Sequence, residues 1–134
     1  VASSTGDGFI VTHDDVVAQT KSGKQILNTK REAVAKVCHN ICGDHVAVVG
    51  ENRKVLIFPI SEIPEMVRGK GVRLQKYKDG GLSDITTFNL SKGLTWLDPA
   101  GRTRSETYLE DWTGKRATAG RMAPRGFPKN NKFI

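Results

Sequence analysis

The sequence predicts an all-β, propeller-like repeat of about three four-stranded blades, and two observations carry this prediction. A short phrase of glycine next to lysine returns at Gly23, Gly69 and Gly114, at intervals of 46 and 45 residues. Within each interval lie about four short apolar runs of strand length, separated by turn residues. One blade cannot bury both of its faces, so neighbouring blades must stack, as an open arc or as part of a larger ring.

The second unit carries the clearest strand signals. Residues 46–49 and 55–58 are apolar and β-branched, and the polar residues 50–54 between them predict a hairpin with a five-residue loop. Residues 72–77 alternate apolar and polar, as expected for a strand with one buried face. A turn at 78–81 and a further strand at 85–88 complete the unit.

The other two units follow the same plan with weaker signals. In the first, residues 9–11 and 34–38 are the strand candidates. In the third, residues 94–96 and 103–108 flank a turn that contains proline and glycine. The predicted blades span residues 6–44, 45–90 and 91–127, and residues 128–134 are expected to form a loose basic tail.

Composition favours an anionic partner. The chain has 21 Lys and Arg against 14 Asp and Glu, a net charge of +7 and a pI near 9.7, which raises the odds of nucleic acid. No apolar run is long enough for a transmembrane helix, so no membrane insertion is expected. Two cysteines and no signal-peptide pattern predict a cytoplasmic protein. Because the first residue is Val, we expect a fragment of a longer chain.

The predicted DNA-binding residues centre on the basic phrase. Alternate residues of a strand share a face, so charges from Arg73 onward can point away from the core. Gly69 and Gly71 carry no side chain, which would let a phosphate approach backbone N–H groups. A solvated, lysine-protected strand edge is the alternative reading. The full predicted set is Lys21, Lys24, Arg68, Gly69, Lys70, Gly71, Arg73, Lys76, Lys78, Lys115, Arg116, Arg121 and Arg125.

No metal site and no catalytic site is predicted. Cys38, Cys42 and His45 have a spacing that zinc could use, but no second Cys pair accompanies them. A small metal-dependent enzyme built on these residues is therefore a weak rival. His13 and the neighbouring acids lie in a polar turn with no nucleophile in an evident position.

Three segments carry a resemblance to a known family: residues 65–72 (EMVRGKGV), 80–85 (GGLSDI) and 120–128 (GRMAPRGFP). They resemble the C-terminal domains of the A subunits of bacterial type IIA topoisomerases, and the topoisomerase IV branch more than the gyrase branch. The resemblance implies a β-pinwheel, in which neighbouring blades exchange strands and duplex DNA bends around a basic rim. Gyrase relatives carry a Q-R-R-G-G-K-G box, of which only Arg68-Gly69-Lys70-Gly71 remains here. That difference favours guiding DNA over winding it tightly.

The resemblance also implies that catalysis belongs to other parts of the enzyme. This chain would bind and bend double-stranded DNA without catalysis, so neither Tyr77 nor Tyr108 is expected to be the nucleophile. The rest of the same polypeptide and a separate ATPase subunit would be its partners in a heterotetramer that needs Mg²⁺ and ATP elsewhere. That enzyme would act in decatenation and supercoil relaxation in the bacterial cytoplasm. A gyrase-type wrapping domain and a propeller-type protein-interaction module are the alternatives.

Overall fold

The computed structural model describes residues 1–16, 23, 25–29 and 33–133, and this part of the chain is almost entirely β-structure. One helical turn, α1 (His13–Val16), stands where a polar turn was expected, and a short 3₁₀ turn spans Ile60–Glu62. The strands are β1 (Ala2–Ser3), β2 (Asp7–Gly8), β3 (Ala35–Val37), β4 (His45–Gly50), β5 (Lys54–Pro59), β6 (Val72–Arg73), β7 (Leu82–Phe88), β8 (Leu94–Leu97), β9 (Thr103–Glu106) and β10 (Arg121–Met122).

The strands form three antiparallel sheets with a shared plan. The first sheet has the order β3-β1-β2-β6, and the second has the order β7-β4-β5-β10. The third contains β8 and β9 alone among the described residues. In each of the first two sheets, one of the two edge strands is contributed by the following repeat: β6 in the first sheet and β10 in the second. The chain therefore exchanges strands between neighbouring repeats.

A tight turn marks the same place in all three repeats. Gly6, Arg53 and Gly101 each have a positive φ, at +90°, +65° and +83°. The backbone N–H of each donates to the carbonyl three residues earlier, at 3.0, 3.0 and 2.9 Å. Positive φ favours glycine, yet an arginine occupies the middle copy, so glycine spacing alone could not show this repeat.

The glycine–lysine phrase does not occupy one equivalent place in each repeat, contrary to the sequence-based prediction. Gly23, Gly71 and Gly120 share a φ near +80°, and the latter two directly precede the exchanged strands β6 and β10. Gly69 corresponds instead to Ala117, because both residues have a positive φ and both donate their N–H to the exchanged segment of the preceding repeat. The interval predicted by the phrase is therefore two to four residues too short.

The second sheet lies between two cores because its strands are apolar on both faces. One face, which includes Ala47 and Ile57, packs against Leu94 and Trp96 of the third sheet. The opposite face, which includes Val48 and Phe58, packs against the first sheet around Leu74. Runs of β-branched residues suit a strand that is buried on both faces, and the predicted hairpin is formed with Val49 opposite Val55.

Residues 128–133 are packed against the domain, and the prediction of a loose tail was wrong for them. Phe133 is 1% exposed and lies in the core beside Phe127, with the two ring centroids 5.5 Å apart. The Phe133 N–H donates to Asp84 Oδ2 at 2.9 Å, and Lys132 Nζ donates to the Ser83 carbonyl at 2.9 Å. Burial of Phe133 against Phe127 outweighs the polar, turn-rich composition of this segment.

Candidate nucleic-acid interface

The predicted cations divide into exposed, half-buried and undescribed residues. Lys21 and Lys24 lie outside the described residues. Arg116 is half-buried. The exposed members of the predicted set are Arg68, Lys70, Arg73, Lys76, Lys78, Lys115, Arg121 and Arg125.

Strand exchange brings two backbone segments that carry cations, one from the second repeat and one from the third, side by side. Residues 74–76 continue from β6 and run along the loop 115–118 of the following repeat. The Ala117 N–H donates to the Leu74 carbonyl at 3.0 Å, and the Lys76 N–H donates to the Thr118 carbonyl at 2.9 Å. We call the exposed cations Lys76 and Lys115 on these two segments, together with Arg73 at the end of β6, the junction surface.

Arg116 holds the two segments of the junction together. Its Nη1 donates to the Arg73 carbonyl at 2.8 Å, and its backbone N–H donates to Glu62 Oε1 at 3.0 Å. Its Nε is buried and has no hydrogen-bond partner among the described residues. The guanidinium is therefore engaged within the protein, which sets Arg116 apart from the exposed members of the predicted set.

Gln75 is a positioning residue that the sequence pattern did not reveal. It is fully buried, and its Nε2 donates to the carbonyls of Lys54 at 2.9 Å and Ala119 at 3.0 Å. These two bonds fix the exchanged segment to β5 and to the third repeat at once. The sequence carries one signal for this role, an amide side chain next to Leu74 in a predicted strand. When such an amide is buried, its polar atoms need hydrogen-bond partners.

Both predicted phosphate-contact glycines serve the packing of the chain. The Gly69 N–H donates to the Ile26 carbonyl at 2.8 Å, so it is already used. Gly71 lies against β2 so closely that a Cβ there would stand 2.1 Å from the Gly8 carbonyl oxygen. The Gly69 N–H is therefore not free for the predicted contact with phosphate, and the neighbouring side chains Arg68 and Lys70 remain as exposed charges.

The remaining predicted cations lie on other segments of the second and third repeats. Lys78 is in the turn before β7, and Arg121 is in β10, directly opposite Val55 of β5. Arg125 lines a groove beside Trp96 and Trp112. Exposed charge thus lies on the exchanged strands and on the segments that precede and follow them, in both of these repeats.

No acid within 4 Å neutralises the cations of the predicted set in the part of the chain that the structure describes. Two ion pairs are present there, between Asp44 and His45 at 2.9 Å and between Asp98 and Arg104 at 3.0 Å. The pKa of the Asp98 carboxyl is lowered chiefly by the hydrogen bond from the Arg102 N–H and further by the one from Arg104. The pKa of the Asp44 carboxyl is lowered chiefly by the hydrogen bond from the Leu90 N–H and further by the one from His45. Exposed cations without local counter-charges are available to an anionic ligand.

The residues weighed for metal binding do not form a cluster. Cys38 and Cys42 are exposed and free, and His45 is paired with Asp44. Within the described ranges, no three His, Cys, Asp or Glu side chains come together in a way that could hold a metal ion. A cavity of about 330 Å³ between the first two sheets touches Cys38 and His39, but its other walls are mainly apolar.

The two tyrosines differ in environment. The Tyr77 ring packs against Gly6 and Gly50, and burial raises the pKa of its hydroxyl far above the ordinary value. Tyr108 is 66% exposed, and its hydroxyl donates to Glu110 Oε2 at 3.3 Å. No helix in the described part of the chain is long and apolar enough to cross a membrane.

Comparison with known sequences gives consistent matches. The family model described as the DNA gyrase C-terminal domain, beta-propeller, matches residues 44–87. The A subunit of DNA topoisomerase 4 from Caulobacter vibrioides is 47% identical over 99% of this chain and 17% of its own length. The corresponding protein of Rickettsia bellii is 48% identical over 99% of this chain and 18% of its own length. The chain thus spans under a fifth of the length of these curated relatives.

Comparison with solved structures bears on the fold. The Escherichia coli ParC C-terminal domain matches with a TM-score of 0.76 at 23% identity, over 96% of this chain and 56% of that one. A DNA gyrase A C-terminal domain matches with a TM-score of 0.74 at 16% identity, over 92% of this chain and 45% of that one. These matches, together with the exchanged strands, confirm the predicted all-β, propeller-like fold.

Proposed function

The chain belongs to the family of C-terminal domains found in the A subunits of topoisomerase IV and gyrase, and we propose that it is a non-catalytic domain that binds and bends duplex DNA. In this proposal it presents a DNA segment to the catalytic core of a topoisomerase IV. Strand passage by that core would then decatenate chromosomes and relax supercoils.

The junction surface is the observation that carries this proposal. Arg73, Lys76 and Lys115 come from two repeats and lie on hydrogen-bonded neighbouring segments. Lysine and arginine side chains that contact phosphates supply affinity without reading base sequence. No described helix is longer than one turn, so a recognition helix in the major groove is not among the described elements.

Repetition of the charge supports bending. Bending a short duplex by tens of degrees costs on the order of 1–6 kcal/mol. Cations spread over successive repeats can offset this cost, because each further contact forms only when the DNA follows the surface. Arg68 and Lys70 precede the exchanged strand of the second repeat, and Arg121 lies within that of the third, so the charges are distributed in this way.

The parent enzyme supplies everything else in this proposal. Its other domains and an ATPase subunit would hold Mg²⁺ and ATP, and the assembly would act on the chromosome in the bacterial cytoplasm. The described residues of this chain contain no cluster of acids fit for a metal ion. In this proposal the DNA-binding role of the domain itself uses neither cofactor.

A salt series tests the proposed function. Binding to a random-sequence duplex should weaken as salt rises, with a log–log slope of roughly −5 if about six phosphates are neutralised. A flat response or no binding would support a protein-interaction module instead. Ligation of nicked circular DNA with the bound domain separates bending from gyrase-type wrapping, because only wrapping should leave supercoils after the protein is removed.

A further inference from the structure

An acidic residue contacts the basic junction between the second and third repeats. Glu62 is the last residue of the 3₁₀ turn and is half-buried. Its Oε1 accepts the backbone N–H of Arg116 at 3.0 Å, and Arg116 follows Lys115 of the junction surface in the sequence. Charge alone would predict that an acid at this place opposes the binding of DNA.

The turn that carries Glu62 is anchored at both of its ends. The Ile60 N–H donates to the Asp44 carbonyl at 3.0 Å, and the Ile63 N–H donates to the Ile60 carbonyl at 3.0 Å. The Ile63 side chain is 8% exposed and belongs to the core between the first two sheets. Glu62 is therefore held on a fixed support, from which its carboxyl can position a neighbouring loop.

The loop 115–118 is a tight turn that contains a residue of unusual conformation. Thr118 Oγ1 donates to the Lys115 carbonyl at 2.7 Å, and Ala117 has a φ of +71°, which residues with a side chain seldom adopt. The bond from the Arg116 N–H to Glu62 lies in the middle of this turn and joins it to the preceding repeat. Loss of the acceptor would leave the N–H of half-buried Arg116 without its partner, which destabilises this arrangement of the loop.

Glu62 acts on the loop as a hydrogen-bond acceptor and not as a counter-charge. Neither of the two ion pairs in the described part of the chain includes Glu62. The Arg116 guanidinium donates instead to the Arg73 carbonyl at 2.8 Å. The contact therefore requires an oxygen acceptor at the right distance rather than a negative charge. A glutamine side chain has the same length and an amide oxygen that can accept the same bond.

The preceding repeat has the same two positions without this bond. Asp14 corresponds to Glu62, since each lies one residue before the N–H that closes its turn. Arg68 corresponds to Arg116, since each precedes a residue of positive φ that bonds to the exchanged segment. Asp14 and Arg68 are exposed, whereas Glu62 and Arg116 are half-buried. Within the described residues, the contact is thus particular to the junction between the second and third repeats.

We propose that Glu62 is a positioning residue for DNA binding, an inference that rests on the proposed function. By accepting the Arg116 N–H, Glu62 holds the loop 115–118, and with it the backbone of Lys115, against the exchanged segment. Cations that are ordered before DNA arrives lose less conformational entropy on binding. The contribution of this acid to DNA binding is therefore opposite in sign to the effect of its charge.

Two substitutions that remove the same charge separate position from charge. Glu62→Gln keeps an oxygen acceptor, and Glu62→Ala removes it. If charge alone acted, both variants would bind a random-sequence duplex more tightly than the wild type, and by equal amounts. The proposal predicts that Glu62→Gln binds at least as tightly as the wild type and that Glu62→Ala binds more weakly. The log–log salt slope of Glu62→Ala should be smaller in magnitude by about 1, the contribution of one phosphate contact.

Asp14→Ala is the matched control, because Asp14 is the equivalent acid of the preceding repeat and is exposed. This variant should not weaken binding or reduce the salt slope. Circular dichroism and thermal unfolding define the temperature range in which each variant is fully folded. Binding is measured within that range, so that a loss of stability is not counted as a loss of DNA contact.

Glu62→Asp gives a second measurement, which also serves if Glu62→Ala does not fold. It keeps the charge but shortens the side chain by one methylene, so its salt slope should fall below that of the wild type. Folded Glu62→Ala and Glu62→Asp variants with the wild-type slope would overturn the proposal, and so would equal affinities of the Ala and Gln variants. A wild-type chain whose binding does not respond to salt would instead refute the proposed function itself.

Discussion

The second and third sheets begin from the same hairpin and differ in what surrounds it. Arg53 and Gly101 make the same turn with the same hydrogen bond. The second hairpin is completed on both sides, by β7 and β10, and its strands are buried. The third remains two-stranded within the described residues, and β9 is exposed. A repeat in this fold is thus completed by its neighbours as much as by its own sequence.

An irregular segment supports the third sheet in place of further strands. The Leu97 N–H donates to the Phe133 carbonyl at 3.1 Å, and Phe127 packs 6.0 Å from Trp96, measured between ring centroids. Arg53 anchors the same segment through bonds from its guanidinium to the carbonyls of Phe127 and Pro128. The C-terminal residues therefore substitute for the strands that complete the second sheet.

Removing the Phe133 side chain should have the largest effect on stability. Phe133→Ala leaves a cavity between the second and third sheets and should lower the free energy of unfolding by about 3–5 kcal/mol. Tyr108→Ala, an exposed aromatic in the same repeat, should change it by less than about 0.5 kcal/mol. Urea denaturation of both variants measures the difference. Equal, small losses would mean that the C-terminal segment does not support the third sheet.

Two glycines of equal φ separate backbone strain from close packing. Gly101→Ala places a Cβ at a φ of +83° in open space, which should cost about 1–2 kcal/mol. Gly71→Ala, at +84°, also drives the Cβ into the Gly8 carbonyl and should cost about 1–3 kcal/mol more. Thermal unfolding of both proteins gives the comparison. Matching losses would refute the close contact between β2 and the exchanged strand.

The smallest expected effect concerns the turn of the third hairpin and depends on pH. Asp98 accepts hydrogen bonds from the backbone N–H groups of Ala100 and Arg102 and from Arg104 Nε. These bonds, chiefly that of Arg102, lower the pKa of the Asp98 carboxyl from 3.8. Its charge therefore stabilises the folded state above pH 3.8, and that stabilisation disappears as pH falls through the lowered folded-state pKa.

The variant Asp98→Asn makes this pH dependence measurable. It should be less stable than the wild type at neutral pH, and the difference should shrink towards zero in strong acid. Asp111→Asn, an exposed acid in the same repeat, serves as the control. A difference that stays constant from neutral pH to strong acid would show that the Asp98 charge is not responsible.

The sequence predicted the elements that depend on local pattern. The hairpin of residues 45–59 was evident because β-branched runs flank a polar turn, and β7 and β8 were evident for the same reason. The predicted strand at residues 72–77 shortens to Val72–Arg73, since beyond Arg73 the Leu74 N–H bonds to Gly6 in the turn before β2, and the Leu74 carbonyl and the Lys76 N–H bond to the third repeat. Composition alone could not predict that change of partner.

The site could be predicted only in part. The exposed cations follow from charge, but the glycine–lysine phrase misaligned the repeats, because the equivalents of Gly23 are Gly71 and Gly120 and not Gly69 and Gly114. The internal roles of Gln75 and Arg116 depend on contacts between repeats some 40 residues apart in sequence. Such contacts are set by the exchange of strands, which no local pattern shows.

The salt dependence of DNA binding by matched triple variants tests the central claim most directly. Arg73→Ala, Lys76→Ala and Lys115→Ala together should weaken binding and reduce the magnitude of the log–log salt slope by roughly 2–3, because each phosphate contact contributes about 0.9. Lys36→Ala, Lys92→Ala and Lys129→Ala remove the same charge from exposed positions outside the junction surface and should change the slope by less than about 1. Equal slopes for the two triple variants would show that DNA does not bind at the junction between the repeats.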